Sequence, residues 1–126
     1  MLRTSVTQEI QLPVSLNIFP PETITRRIDR RLSRLLSRLS PEMPWGDRRK
    51  AVQELGSLRN PAALPYLLDT LSNDPFWMVR YAVIEALQMI GDPRSTNGLV
   101  QAAERDSFQA VRSYAAKVVK NFNSYE

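Results

Sequence analysis

The sequence predicts an all-α protein in which helical hairpins repeat every 32 residues and stack into a solenoid. Three observations lead to this fold class. A shift of the sequence by 32 positions superposes residues of the same kind from about Leu32 to Phe122. Within each unit, apolar residues recur at three- and four-residue spacing, as on one face of a helix. Between these apolar segments stand a capping residue and a proline, which end one helix and begin the next.

The repeat register is carried by aromatic and apolar positions, without an insertion. Trp45 falls on Trp77, and Phe76 falls on Phe108. We expect the two phenylalanines to be core residues that staple one hairpin to the next. The matched apolar positions are Leu55, Leu87 and Val119, then Leu58, Ile90 and Phe122.

Each unit divides into a first and a second helix joined by a short turn. The turn Gly91-Asp92-Pro93 supplies a residue tolerant of positive φ, a capping acid and a proline suited to a first helical turn. Arg59-Asn60-Pro61 keeps the cap and the proline, and Asn73-Asp74-Pro75 joins one hairpin to the next. The stripe of a first helix is Val79, Val83, Ala86, Leu87 and Ile90, and that of a second helix is Leu64, Leu67, Leu68 and Leu71.

Residues 1–21 do not follow the repeat. Apolar residues alternate with polar ones between residues 10 and 18, a period of two that predicts an extended N-terminal arm. Pro13 confines such a strand to an edge, and Pro20-Pro21 ends it. A lone strand must satisfy its backbone elsewhere, so the arm folds over the solenoid, pairs with a second copy through residues 10–18, or joins a partner's sheet.

Composition excludes several classes of site. The 126 residues contain no cysteine and no histidine, which removes disulfides, thiolate or imidazole metal ligands and the commonest general base. No apolar run reaches the length of a membrane span and no signal-peptide pattern is present, so we expect a cytoplasmic protein. The net charge of +4 is uneven, because residues 22–50 hold nine basic and four acidic residues.

The residues Val79-Arg80, Ala82, Glu85-Ala86-Leu87 and Ile90-Gly91-Asp92-Pro93 resemble the HEAT-like repeat of the phycobilisome (PBS) lyase family of cyanobacterial type. That family includes bilin lyases, phycobilisome-degradation proteins and other binding proteins. The resemblance implies a right-handed α-solenoid of about three HEAT-like repeats. The predicted domains are the arm, 1–21, and the repeat domain, 22–126, which divides into a half repeat 22–41, repeats 42–73 and 74–105, and a half repeat 106–126.

The most regular polar feature is an acid followed six positions later by an arginine. The pairs are Glu42 and Arg48, Asp74 and Arg80, and Asp106 and Arg112. Because the set recurs in each unit, whereas an active site breaks symmetry, we interpret it as a structural ladder that hydrogen-bonds from repeat to repeat.

The second polar feature is an arginine-rich helix at residues 26–39. Its apolar stripe leaves Arg27, Arg31, Arg34 and Arg38 close to one line, with Arg30 beside them. The register makes this the second helix of a hairpin, which in such solenoids lines the concave, ligand-facing side. The alternatives are a solvated cap of the array and an anion-binding surface, since guanidinium groups pair bidentately with carboxylates and phosphates.

Three aromatic residues complete the candidate binding surface. Tyr66 takes the second-helix position that Arg34 and Gly98 hold in the other units, so this face is not symmetric. Trp45 and Trp77 are either packing residues in the inter-hairpin turns or anchors of an interface.

These features predict a non-catalytic adaptor that binds an acidic protein partner through the second helices and the arginine helix. The resemblance implies that this partner is a phycobiliprotein or another photosynthetic complex. The first alternative is a bilin lyase subunit or chromophore chaperone, in which arginines hold the propionates of a bilin; otherwise we expect no cofactor. The second is nucleic-acid binding, disfavoured because the basic stretch covers one helix. An autonomous enzyme is not expected, because the sequence contains no nucleophile and base pair, metal-ligand set or phosphate loop.

Overall fold

A computed structural model describes residues 30–123 of the chain. The chain divides into two units, Met1–Arg31 and Leu32–Glu126, and the second carries the helical array. The predicted arm, residues 1–21, and Arg27 of the arginine helix lie outside the described residues. The arm and the domain boundaries therefore stay predictions.

Between residues 30 and 123 the backbone forms helices, turns and short 3₁₀ segments, and no strand. The all-α solenoid of HEAT-like hairpins predicted from the repeat is confirmed. The 3₁₀ segments Pro61–Ala63 and Pro93–Ser95 lead directly into the second helices. The helices are α1 (described at 30–37), α2 (Trp45–Leu58), α3 (Leu64–Asn73), α4 (Trp77–Ile90), α5 (Thr96–Arg105) and α6 (Gln109–Asn123).

The turns form as their residues predict. Gly91 ends α4 at φ 69°, and its N–H donates to the carbonyl of Leu87 at 2.9 Å. Asp92 then accepts the N–H of Arg94 at 2.9 Å and caps the 3₁₀ segment that begins at Pro93. The same geometry recurs one repeat earlier without a glycine, since Arg59 adopts φ 53° there.

The core runs as one strip between two layers of helices. The first helices α2, α4 and α6 pack side by side in one layer, and α3 packs beside α5 in the other. Equivalent leucines, Leu55 and Leu87, are completely buried in successive repeats. Each such side chain contributes about 1.5–3 kcal/mol on burial, so every hairpin is stabilised through its neighbour.

Two glycines set how closely neighbouring repeats approach. A Cβ at Gly56 in α2 would lie 2.9 Å from the Cα of Ala86 in α4, so the backbones of these first helices are in direct contact. In the second layer, a Cβ at Gly98 would lie 2.6 Å from the Cδ2 of Leu68.

Candidate functional site

The first candidate set, the ladder of acids and arginines, joins one repeat to the next. The Arg48 guanidinium donates from Nε to Asp74 Oδ2 at 2.7 Å and from Nη2 to Asp74 Oδ1 at 3.0 Å. Its Nη1 donates to the carbonyl of Met43 at 2.6 Å. The hydrogen bond with Asp74 raises the pKa of Arg48 above its ordinary value, against the opposing effect of burial.

The next repeat has the same geometry. Arg80 donates to Asp106 Oδ2 at 2.8 Å and to Asp106 Oδ1 at 2.9 Å, while its Nη1 donates to the carbonyl of Asp74 at 2.8 Å. The side chains of Arg80 and Asp106 are only 9% and 5% exposed. Asp106 also accepts the N–H of Phe108 at 2.9 Å and so shapes the turn before α6.

The terminal members of the ladder differ from this pattern. Arg112 Nη1 donates to the carbonyl of Asp106 at 2.6 Å, but no carboxylate between residues 30 and 123 bonds its Nε and Nη2. The Glu42 carboxylate is exposed and has no ion pair within that range either. The arginines and acids in the middle of the array use their polar atoms on each other, which supports a structural role for them.

The tryptophans stack on the phenylalanines that begin the following first helices. Trp45 stacks on Phe76 with ring centroids 4.6 Å apart, and Trp77 stacks on Phe108 at 4.3 Å. The phenylalanines do connect successive hairpins, but they remain 36% and 40% exposed. The expectation that they are core residues is wrong, because the stacked rings lie at the turn edge of the array.

A cluster of aromatic rings continues along the first-helix layer. Trp77 meets Tyr81 edge to face, and Tyr81 stacks on Tyr114 with centroids 4.6 Å apart. Burial, and then the neighbouring Glu85 and Tyr81, raise the pKa of Tyr114. A depression of about 390 Å³ lies beside the cluster and is lined by Arg49, Trp77, Met78, Tyr81, Ala82, Glu85 and Ala110.

This cluster was not predicted from the sequence. Tyr81 and Tyr114 are 33 residues apart, one more than the repeat, so the register does not align them. The structure brings them together because adjacent first helices pack side by side.

The arginine helix presents its charge to solvent. Leu32 and Leu35 of α1 are buried, whereas Arg34 and Arg38 are exposed. Neither of these guanidinium groups has a hydrogen bond or an ion pair within the described part of the chain. Arg30 and Arg31, at the end of the first unit, are exposed as well.

The second-helix layer is uneven in the way its sequence predicts. Tyr66 on α3 is 53% exposed, whereas the equivalent Gly98 on α5 carries no side chain. The space beside this glycine forms a depression of about 200 Å³ between α3 and α5. Its lining residues are Leu71, Ser72, Gly98, Gln101, Ala102, Arg105 and Asp106.

Residues 30–123 contain no group of three or more histidine, cysteine or acidic side chains that could hold a metal ion. None of the helices described there is long and apolar enough to cross a membrane.

Helical hairpins stacked in register, with neighbouring units cross-linked by arginine–aspartate pairs, define a protein of the α-solenoid class. Residues 32–125 match the family of HEAT repeats, and the chain belongs to this family.

Two curated relatives share part of the repeat array. Bilin biosynthesis protein PecE of Mastigocladus laminosus is 48% identical over 54 residues, which are 43% of this chain and 20% of the relative. Bilin biosynthesis protein PecE of Nostoc sp. strain PCC 7120 is 37% identical over 67 residues, 51% of this chain and 26% of the relative. The matches thus span a fifth and about a quarter of the relatives' own lengths.

Proposed function

We propose that this protein is a non-catalytic binding module that holds an acidic partner protein against α1 and the second-helix layer. The observation that carries the proposal is the division of the arginines into two sets. Arg48 and Arg80 are buried and bonded to carboxylates inside the array, whereas Arg34 and Arg38 are exposed without a partner among residues 30–123. Arginines of the second set are available to a carboxylate from another molecule.

Tyr66 extends this surface onto the neighbouring helix. Its ring is large and 53% exposed. Tyr66 lies on α3, which is the second helix of the hairpin that follows α1. Tyrosine and arginine are enriched among the residues that dominate binding energy at protein interfaces. Trp45 and Trp77 are weaker candidates for contact with the partner, because one face of each ring is already covered by a phenylalanine.

A phycobiliprotein is the partner that the comparisons favour. The two relatives are bilin biosynthesis proteins, and the repeat resembles that of the phycobilisome lyase family. The same matches support a second candidate function, a bilin lyase subunit or chromophore chaperone. In that case Arg34 and Arg38 would hold the propionates of a bilin and Tyr66 would pack against its rings. Nucleic-acid binding has less support, because the basic surface is one helix wide and would neutralise few phosphates.

A charge-reversal pair tests the proposal. Arg34→Glu with Arg38→Glu removes the surface, whereas Arg49→Glu with Arg59→Glu makes the same change in net charge on exposed residues at α2. Titration calorimetry with purified phycobiliprotein subunits should show binding weakened about tenfold or more by the first pair, a loss of at least about 1.4 kcal/mol, and little changed by the second. Equal effects of the two pairs would contradict a role for α1.

The same proteins separate the alternatives. A shift in the absorbance spectrum of a free bilin on mixing, lost in Arg34→Glu with Arg38→Glu, would favour the chaperone function. Retention on DNA or RNA that falls steeply with salt would favour nucleic-acid binding. Neither response is expected from a module that recognises only the acidic protein.

A further inference from the structure

The two ends of the described array carry the unmatched halves of one ladder contact. Inside the array, an arginine bonds the carboxylate that begins the next hairpin, 26 residues further on. Arg112 keeps the orienting bond from its Nη1 to the carbonyl of Asp106, yet its Nε and Nη2 meet no carboxylate between residues 30 and 123. Glu42 stands one repeat before Asp74 and offers an exposed carboxylate that no arginine of the same range bonds.

Burial identifies the face of α2 that would receive another hairpin. Three positions that are buried or partly buried in α4 and α6 carry charged side chains in α2, and two of these side chains are exposed. Asp47 is exposed, and its equivalents Val79 and Val111 are completely buried. Lys50 is exposed, and its equivalent Ala82 is buried. Glu54 is half-buried, and its equivalents Ala86 and Val118 are buried. These residues and Glu42 form the leading face of the array.

The same comparison defines the trailing face on α6. Positions buried in α2 and α4 are open there, because no described hairpin covers α6. Arg112 is half-buried, whereas its equivalents Arg48 and Arg80 are buried. Ala116, which is exposed, and Val119, which is half-buried, replace buried residues of the earlier first helices. Lys120 is exposed, as is its equivalent Gln88 in α4, whereas Gly56 at the same position of α2 is buried.

The two faces have opposite charge. The trailing face carries Arg112 and Lys120 without an acidic residue, whereas the leading face carries Glu42, Asp47 and Glu54 against the single base Lys50. The repeat register also says which groups would meet. Gly56 touches Ala86 between α2 and α4, and the equivalent positions between α6 of one copy and α2 of the next are Lys120 and Glu54. Between α4 and α6, Gln88 accepts a hydrogen bond from Tyr114, and the equivalent residues place Lys120 near Lys50 as well.

We propose that copies of this chain associate head to tail, with the trailing face of one copy on the leading face of the next. Arg112 of one copy pairs with Glu42 of the other, and Lys120 pairs with Glu54. The lysine–glutamate pair is bulkier than the glycine–alanine contact it replaces, so α6 of one copy lies further from α2 of the next than α2 lies from α4. Glu42 spans this longer distance to Arg112, because its side chain has one methylene more than aspartate. The contact is heterologous, so it builds open chains of copies rather than a closed dimer.

The association is weak and depends on salt. Its ion pairs lie at the rim of a largely polar contact, where each is worth little and is screened within about 10 Å at 0.1 M salt. Lys50 repels the basic face and weakens it further. The ion pairs of this contact use none of the exposed arginines of α1 on which the proposed function rests, so either proposal can fail without the other.

Sedimentation velocity over a concentration series tests the proposal with complementary charge reversals. At low salt the average sedimentation coefficient should rise with concentration, and it should return to the monomer value in about 0.5 M salt. Arg112→Glu alone and Glu42→Arg alone should each be monomeric, because like charges then face each other. An equimolar mixture of the two variants should associate again, since each altered end meets its opposite. Arg94→Glu, with the same charge change as Arg112→Glu but at a 72% exposed side chain in the turn before α5, should associate like the parent chain.

Three results would overturn the proposal: a parent chain that stays monomeric at low salt, single variants that still associate, or a mixture that does not recover. The first is what charged ends that merely cap the array would give. Circular dichroism checks that Arg112→Glu remains folded, since its side chain also bonds Asp106. Glu42→Arg changes an exposed side chain, and it gives the decisive result if Arg112→Glu unfolds.

Discussion

The buried ladder makes a quantitative prediction about Arg80→Met. This change removes the guanidinium and leaves the Asp106 carboxylate, only 5% exposed, without its cationic partner. Breaking a buried ion pair from one side destabilises a protein by about 3–5 kcal/mol, because the remaining charge stays desolvated. A domain of this size has a free energy of unfolding of about 5–15 kcal/mol, so a large part of the stability should be lost.

The repeat supplies a matched control for this prediction. Arg112→Met removes the equivalent arginine one repeat later, where the described chain provides a carbonyl but no carboxylate, and it should cost only about 1 kcal/mol. Urea unfolding followed by far-ultraviolet circular dichroism measures both variants. Adding Asp106→Asn to Arg80→Met should restore part of the lost stability, because the stranded charge disappears while an acceptor for the Phe108 N–H remains. If Arg80→Met and Arg112→Met lost the same stability, the ladder would not hold the repeats together.

Three further predictions follow from backbone geometry and one exposed ion pair. Gly56→Ala should lower the free energy of unfolding by about 1–2 kcal/mol, because the added methyl group overpacks against α4. Gly46→Ala should raise it by up to about 1 kcal/mol, because no atom lies within 4 Å of the added methyl group and alanine favours the helix. Urea unfolding of the two variants measures both changes. Arg59→Gly should raise the free energy of unfolding by about 0.5–1 kcal/mol, because φ at this position is 53°. Arg94 lowers the pKa of Asp92 from 3.8 to about 2, so this carboxylate favours folding above pH 4 and loses its effect as the pH falls toward 2. A carbon-detected NMR titration should show that low pKa, and Arg94→Ala should return it toward 3.8.

Most of the helix pattern could be predicted from the sequence, because one register constrains every unit at once. Gly91, Asp92 and Pro93 mark a turn by their own chemistry. The preceding turn lacks the glycine, and only the repeat indicates that Arg59 adopts the same left-handed backbone. The turn at Gly91 thus supports the prediction of a turn at the equivalent position one repeat earlier, where the local sequence is less characteristic.

Side-chain contacts between repeats were harder to predict. The sequence predicts a ladder that bonds from repeat to repeat, but it does not say which atoms meet. The carboxylate of Asp74 bonds Arg48 of the preceding hairpin, and its carbonyl accepts from Arg80. The stack of Tyr81 on Tyr114 likewise depends on how far one helix is offset along its neighbour. The offset between neighbouring helices is set by close packing, as between Gly56 and Ala86. The periodicity of the sequence alone does not predict it.

The repeat also helps to separate structural residues from candidate binding residues. Arg48 and Arg80 recur and their hydrogen-bonding atoms are used within the array, so selection for stability accounts for them. Positions 34, 66 and 98 are equivalent in the register, yet they hold an arginine, a tyrosine and a glycine on the second-helix layer. A stacking requirement common to all units cannot explain three such different side chains at one structural position. Under the proposed function the partner meets each helix of this layer differently, so exchanging Arg34 and Tyr66 should alter binding while leaving the stability of the array nearly unchanged, because both side chains are exposed.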